Sequence, residues 1–367
     1  MPASIKVGVV GYGFAAKSFH LPFITANGDY EVIAILQRAE APSDPSAAPA
    51  AGSHCTVDFP DIRQRRGPGS MPLARTSEEA DRVIELASSK GLILTCFQNR
   101  RWDGDFQTLR KLIKEDALGD IKEAEIHYDF ESPPWLAYMT KKEYTPGDGM
   151  AFGLAIKRRP RPDAGTHSVD QAVVLFGRPK SVTGFFRAQR GIKSEVEDPF
   201  TIVLQYDGPQ KDLPVTVKTS VTTPMAQQLK HLVRGTKGSW LKASPIHEFQ
   251  QRSTRPQEEQ IAEGRKPLEP GFGEEPAELY GTLTTYEEFD GKVQHFDEAT
   301  KKYAGKYPSV VGRWLRVCEN LADAVNGKAE PEVKATQSRD AIRVVVISPV
   351  PQLRGSERFK SWPGKPT

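Results

Sequence analysis

The chain has 367 residues, 38% of them hydrophobic and 26% charged, which suits a folded protein of two domains with a core each. Its 50 basic residues against 47 acidic ones leave a net charge of +3, too balanced to point to nucleic acid or an anionic membrane surface as a partner. Three scattered cysteines, Cys55, Cys96 and Cys318, argue against a disulfide framework and against a zinc site with paired ligands. No apolar run approaches the length that spans a bilayer and no leader pattern precedes the first apolar stretch, so the expectation is a cytoplasmic protein.

In chain order, Ile5 to Gly11 predicts a buried strand. A glycine turn follows, then a helix from about Phe14 to Ala26 and a second strand from Tyr30 to Leu36. From Ala39 to Ser70 the chain is rich in Ala, Pro, Ser, Gly and Arg without periodicity and reads as loop. Thr76-Ser-Glu-Glu79 is a capping box that opens a helix with Val83, Ile84, Leu86 and Ala87 on its apolar side. Leu92 to Phe97 predicts another buried strand, and Asp105 to Leu118 an amphipathic helix stopped by Gly119.

After Gly119 the period changes to two. Ala124, Ile126, Tyr128 and Phe130 share one face while Glu123, Glu125, His127 and Asp129 share the other, the signature of a sheet with one covered face. Similar runs recur at 181–187, 200–206, 215–221, 228–233 and 279–289. "THSVDQAVVLFGRP" reads as a helix stopped at Gly177, and Ser309 to Val325 as a last helix. The expected architecture is an α/β dinucleotide-binding Rossmann domain over residues 1–119, possibly truncated. An α+β domain with a large, open, mostly antiparallel sheet follows over 120–367.

The chemistry starts at "GYGFAA". In the pattern Gly11-x-Gly13-x-x-Ala16, Gly11 makes the tight turn, Gly13 lets the backbone approach a pyrophosphate and Ala16 lets helix and strand pack, with Phe14 inside the turn. The second strand ends in Gln37-Arg38 where an acidic residue would take the ribose hydroxyls of NAD. A guanidinium suits a 2′-phosphate, which favours NADP.

Together "GVVGYGFAAKSFHLPFI", "RTSEEADRVIELASSKGLILTCFQNRRWDGDFQTLRKLI", "LGDIKEAEIHYDF", "GTHSVDQAVVLFGRPKSV" and "GEEPAELYGTLTT" resemble the glucose-fructose oxidoreductase and inositol dehydrogenase family, nearest to its NADP-linked scyllo-inositol dehydrogenase type. The resemblance implies a Rossmann domain and a sheet domain used to form a homodimer. It also implies hydride transfer between nicotinamide and a sugar or polyol carbon. The family's Asp-x-Gly-x-His helix start is matched by Asp163, Gly165 and His167, with Asp170 one turn later. His167 is the expected proton acceptor, because imidazole titrates near neutrality, and Asp163 is expected to orient it. Asn99, Arg101 and Trp102, with Asp170, are the expected substrate contacts, since polar groups at the carboxyl end of a parallel strand face the ligand crevice. Asp103 is expected to cap the following helix.

Two stretches depart from the family pattern. Its acid/base lysine lies in a Glu-Lys-Pro turn, and "GSMPLARTSEEAD" places Met71 there, after a segment much shorter than the family's. Methionine neither carries nor relays a proton, so impaired turnover is expected. "AIKRRPRPD" reads as an insertion before His167. A non-catalytic reading stands beside the enzyme: a dinucleotide-binding regulatory protein of the same fold, acting through a protein partner.

Overall fold

The structure, a computed structural model, describes residues 4–13, 15–36, 73–74, 76–129, 164–187, 189, 199–221, 224–245 and 256–347. The expectations for Phe14, Arg38, Met71 and Asp163, and for the loop over 39–70, fall outside those residues.

β1 (Ile5–Val10) pairs in parallel with β2 (Tyr30–Leu36), in register from Ile5 opposite Tyr30 to Val10 opposite Leu36 with one shift at Val7/Gly8. The connection is not a plain α-helix. Residues Ala16–His20 form a π-helical turn and α1 occupies Leu21–Ala26. Pro22, at the start of α1, has no N–H to return to the preceding turn, which accounts for a switch of helix type there.

The N-cap half of the predicted capping box is present. Thr76 Oγ1 accepts from the Glu79 N–H at 3.2 Å and opens α2 (Ser77–Ser89). The apolar side is less covered than its pattern implies: Ala80 is buried, whereas Leu86 is exposed. The predicted strand at Leu92–Phe97 is corrected by the structure, since none of it is ladder-paired among the described residues. Leu92 and Ile93 are 62% and 46% exposed. An apolar extended run becomes a strand only beside a partner, and no described strand lies against this one.

A 3-10 turn at Asn99–Trp102 leads into α3 (Gly104–Lys114). Its predicted stop, Gly119, is displaced by Asp116. Asp116 takes a left-handed φ of 61°, while the Ala117 N–H returns to Leu112 O at 3.0 Å. Gly119, itself at φ 67°, instead turns the chain into β3 (Ile121–His127), and a side chain there would collide with Thr236.

The second half is built on nine strands. Besides β3 they are β4 (Ser181–Phe186), β5 (Phe200–Gln205), β6 (Pro214–Thr219), β7 (Gln227–Gly235), β8 (Gly238–Pro245), β9 (Gly281–Thr285), β10 (His295–Asp297) and β11 (Lys302–Tyr307). Their order is β10-β11-β9-β8-β7-β3-β6-β5-β4, and only the β3–β6 pair is parallel. The expected large, mostly antiparallel sheet is therefore present. α4 (Ala164–Phe176) and α7 (Ala335–Ile347) lie over one face, where Ala124, Ile126, Tyr128, Val169, Val173, Ile202, Val217 and Val344 share a core. α5 (Pro256–Ala262) lies between β8 and β9 in the chain.

The last predicted helix starts later than expected. Residues 309–313 are irregular, and α6 runs only over Leu315–Val325. Val310 and Val311 are exposed there, so their apolar character reflects no buried helix face. α6 and α7 come from the end of the chain, yet Trp314, Leu315, Cys318, Ala335 and Ile342 pack with Phe23, Ala80 and Cys96 from its beginning.

Candidate active site

The site begins at the glycine turn. Gly11 has φ +95°, a conformation open to glycine, and its N–H donates to Leu36 O at 2.7 Å, closing the turn onto β2. Among the described residues, a Cβ at Gly11 or Gly13 would meet no atom within 4 Å. Among the described residues the backbone there is uncrowded, as a pyrophosphate cradle requires, and Ala16 is buried where helix and strand meet. These residues fit a dinucleotide.

The π-helical turn ends at His20, whose ring stands edge-on to Phe97 with centroids 4.5 Å apart. Burial pushes this imidazole down to about 4, so it is neutral at pH 7. Just beyond, Gln98 is buried, and neither amide atom finds a hydrogen-bond partner among the described residues.

The next three residues join this region to α4. Arg101 forks onto Asp170, with Nε and Nη2 each donating at 2.7 Å to a separate carboxylate oxygen. Its Nη1 also donates to Gln337 Oε1 at 2.9 Å. Both members of the pair are buried, at 5% and 1% side-chain exposure. Gln171 Nε2 donates to Arg100 O at 3.1 Å, a second tie between α4 and the turn. Arg101 and Asp170 therefore face each other, and Trp102 packs into the shared core while Asn99 is buried at the head of the turn. Asp103 stands at the N-cap of α3 but makes no capping hydrogen bond. The structure corrects that expectation, because Trp314 Nε1 claims its Oδ1 at 2.7 Å.

One turn before Asp170, His167 lies in the first turn of α4, its ring centroid 6.3 Å from that of Tyr128 at the end of β3. Lys230 of β7 stands over the same phenol, Nζ 5.2 Å from the ring centroid. It lies 3.6 Å from Asp105 and 4.0 Å from Asp103. Arg100 completes the charged cluster, its Nη2 on Glu258 at 2.5 Å and its guanidinium over Trp314 at 4.4 Å.

No motif in the sequence marks His20, Gln98, Tyr128 or Lys230 as site residues. Tyr128 reads only as one of the alternating residues of a buried face, and Lys230 as part of an alternating run. The one available signal was His20, spaced seven residues after Gly13 on the helix that leaves the glycine turn.

A strand, glycine turn and helix beside a large open sheet, with a histidine-bearing helix tied to the junction, define the class: a two-part oxidoreductase built on a dinucleotide fold. The GFO/IDH/MocA C-terminal domain matches residues 106–241. An oxidoreductase of Schizosaccharomyces pombe, C115.03, is 34% identical over 91% of this chain and 93% of its own length. IolW of Bacillus subtilis, named a scyllo-inositol 2-dehydrogenase (NADP(+)), is 28% identical over 93% of this chain and 92% of its own. Among solved structures, the oxidoreductase YvaA of Bacillus subtilis superposes with a TM-score of 0.76 at 25% identity, covering 94% of this chain and 95% of that one. The chain belongs to the Gfo/Idh/MocA family of oxidoreductases.

Proposed function

We propose that this chain is an NAD(P)-dependent oxidoreductase that moves a hydride between nicotinamide and a hydroxyl-bearing carbon of a sugar or polyol. NADP is preferred through Arg38, and turnover is slowed by Met71. The observation that carries the reading is the Arg101–Asp170 fork. It pins the helix bearing His167 to the turn that follows Phe97, and Phe97 packs against His20 on the helix leaving the glycine turn.

In this reading Gly11, Gly13 and Ala16 hold the dinucleotide diphosphate, joined by Phe14, and the bound cofactor supplies the hydride acceptor. His167 takes the proton from the reacting hydroxyl, with Asp163 orienting it. The fork keeps α4 from rotating, so the imidazole stays aligned. Asn99 lines the crevice; Arg101 and Asp170 act by position and Trp102 by packing. A family lysine beside the hydroxyl would steady the developing alkoxide, and a thioether at that place gives it no hydrogen-bond donor.

The test compares NADPH formation with scyllo-inositol and related sugars among three proteins: the chain as it stands, Met71→Lys, and a form with the Glu-Lys-Pro turn and its preceding segment restored. The restored form is expected to be faster by about 10²-fold or more. Met71→Lys alone gains less, because one side chain does not rebuild the segment that would position it. Equal rates for the unaltered and restored forms would overturn the lysine argument. Tight NADP binding without turnover by the unaltered chain would favour the second reading, which rests on Met71: a regulatory protein acting through a protein partner.

A further inference from the structure

Lys230 sits at an irregularity of the sheet. On the side facing β8 the register of β7 shifts between Leu229 and His231, while His231 and Val233 keep their places opposite Ile126 and Ala124 of β3. Strict alternation would send Lys230 to the face opposite His231. The bulge instead brings it onto the covered face with Tyr128, where both Lys230 and His231 are buried. Bulges of this kind re-aim single side chains and are concentrated beside active sites.

The ammonium is 3% exposed and makes no hydrogen bond among the described residues. Asp105 and Asp103, at 3.6 Å and 4.0 Å, balance its charge without taking its protons. A buried ammonium with its N–H groups unspent is costly unless an acceptor arrives. The phenol of Tyr128 neighbours both groups, with Lys230 Nζ 5.2 Å from its centroid and the His167 ring centroid 6.3 Å from it, so the unspent donor and the proposed proton acceptor border the same aromatic side chain.

We propose that Lys230 is a substrate-binding residue that donates to a second hydroxyl of the polyol and thereby orients the ring toward His167. This rests on the polyol reading above. Asp103 is shared between Lys230 and Arg100, whose Nη1 lies 3.7 Å from it, and Asp105 faces Lys230, so the ammonium already has its counter-charges and what it lacks is a hydrogen-bond acceptor, which a neutral hydroxyl supplies.

The experiment is a cycle between protein and substrate. kcat/KM is measured for scyllo-inositol and a series of monodeoxy inositols with the unaltered chain, Lys230→Gln and Lys230→Arg. NADPH affinity and Tm are followed alongside. The unaltered chain should lose about tenfold or more on one particular deoxy analogue, since its donor is then left unsatisfied. Lys230→Gln should erase that discrimination, chiefly through KM, and leave NADPH affinity unchanged. Where Lys230→Gln does not fold, Lys230→Arg carries the test, because it keeps the charge beside Asp103 and Asp105 while displacing the donors.

A structural lysine would lower Tm and all the rates alike, with the discrimination pattern intact. That result overturns the proposal and leaves the oxidoreductase reading standing. Absence of both turnover and calorimetric binding of scyllo-inositol by the unaltered, NADP-loaded chain overturns the polyol reading and this proposal with it.

Discussion

Arg101 and Asp170 show how much a single pair of side chains can decide. They are 69 positions apart in the chain, and the fork they form is closed to solvent. Removing one partner of such a pair strands a buried charge. Arg101→Met should therefore cost about 3–5 kcal/mol in chemical denaturation, and the Arg101→Met/Asp170→Leu double variant should recover most of it. Additive losses in that cycle would mean that the two groups do not stabilise one another.

A second residue-scale effect lies at His231, stacked on Trp240 with ring centroids 5.7 Å apart, between Lys230, Lys242 and Asp105. Burial pushes its imidazole down to about 3 from an ordinary 6.5, against the opposing pull of Asp105. The unfolded chain therefore binds this proton first. The stability is present above pH 6.5 and is lost as pH falls toward 3. Between pH 7 and pH 5 the unaltered chain should lose about 2 kcal/mol more than His231→Phe, measured by denaturation at both values. Equal losses would show that His231 is not held neutral.

Neither pair was legible in the sequence. Arg101 and Asp170 each read as a substrate contact, because nothing local shows that two distant polar residues will consume each other's hydrogen bonds. Lys230 was hidden by the bulge: a period-two reading of "QQLKHLV" sets Lys230 and His231 on opposite faces, and the extra residue puts both inside.

At the scale of elements, local signals served best where a local force decides. The Thr76 N-cap and the glycine stop at Gly177, which takes φ 78°, are short-range features and both are present. Thr76→Ala should cost about 1 kcal/mol by removing the acceptor for the Glu79 N–H; a thermal or chemical melt unchanged within error would show that α2 does not depend on its cap. Elements that need a neighbour were read poorly. Leu92–Phe97 has the composition of a strand without a described partner strand. β8 was missed although it is paired on both sides, because "GSWLKASP" opens on Gly and Ser and carries a lysine that is buried against Glu275. α7, "ATQSRDAIRVVVI", also went unread, and its Val344 and Val345 lie in the main core.

For the whole molecule, the nine-stranded sheet has one face under α4 and α7, and the other carries Phe185 and Leu241, both 44% exposed. Apolar side chains on an open sheet face favour association. We propose that this face pairs two copies of the chain. Light scattering at micromolar concentration should give a dimer, and Leu241→Asp should shift it toward monomer. A folded protein that is monomeric throughout would contradict the pairing.

The alternation of β3 to β7 and the glycine turn made both halves readable in advance. The return of α6 and α7 to pack against α1 and α2 was not, since it depends on contacts between the two ends of the chain. That return helps to set the crevice in which Gly11, Gly13, Asn99 and His167 are proposed to meet a dinucleotide and a polyol. The most direct test of that arrangement is the rate of NADPH formation from NADP and scyllo-inositol by the unaltered chain and by His167→Asn. The account predicts slow but measurable turnover that falls by about 10²-fold in the variant while NADPH binding is retained. His167→Asn turning over as fast as the unaltered chain would contradict it.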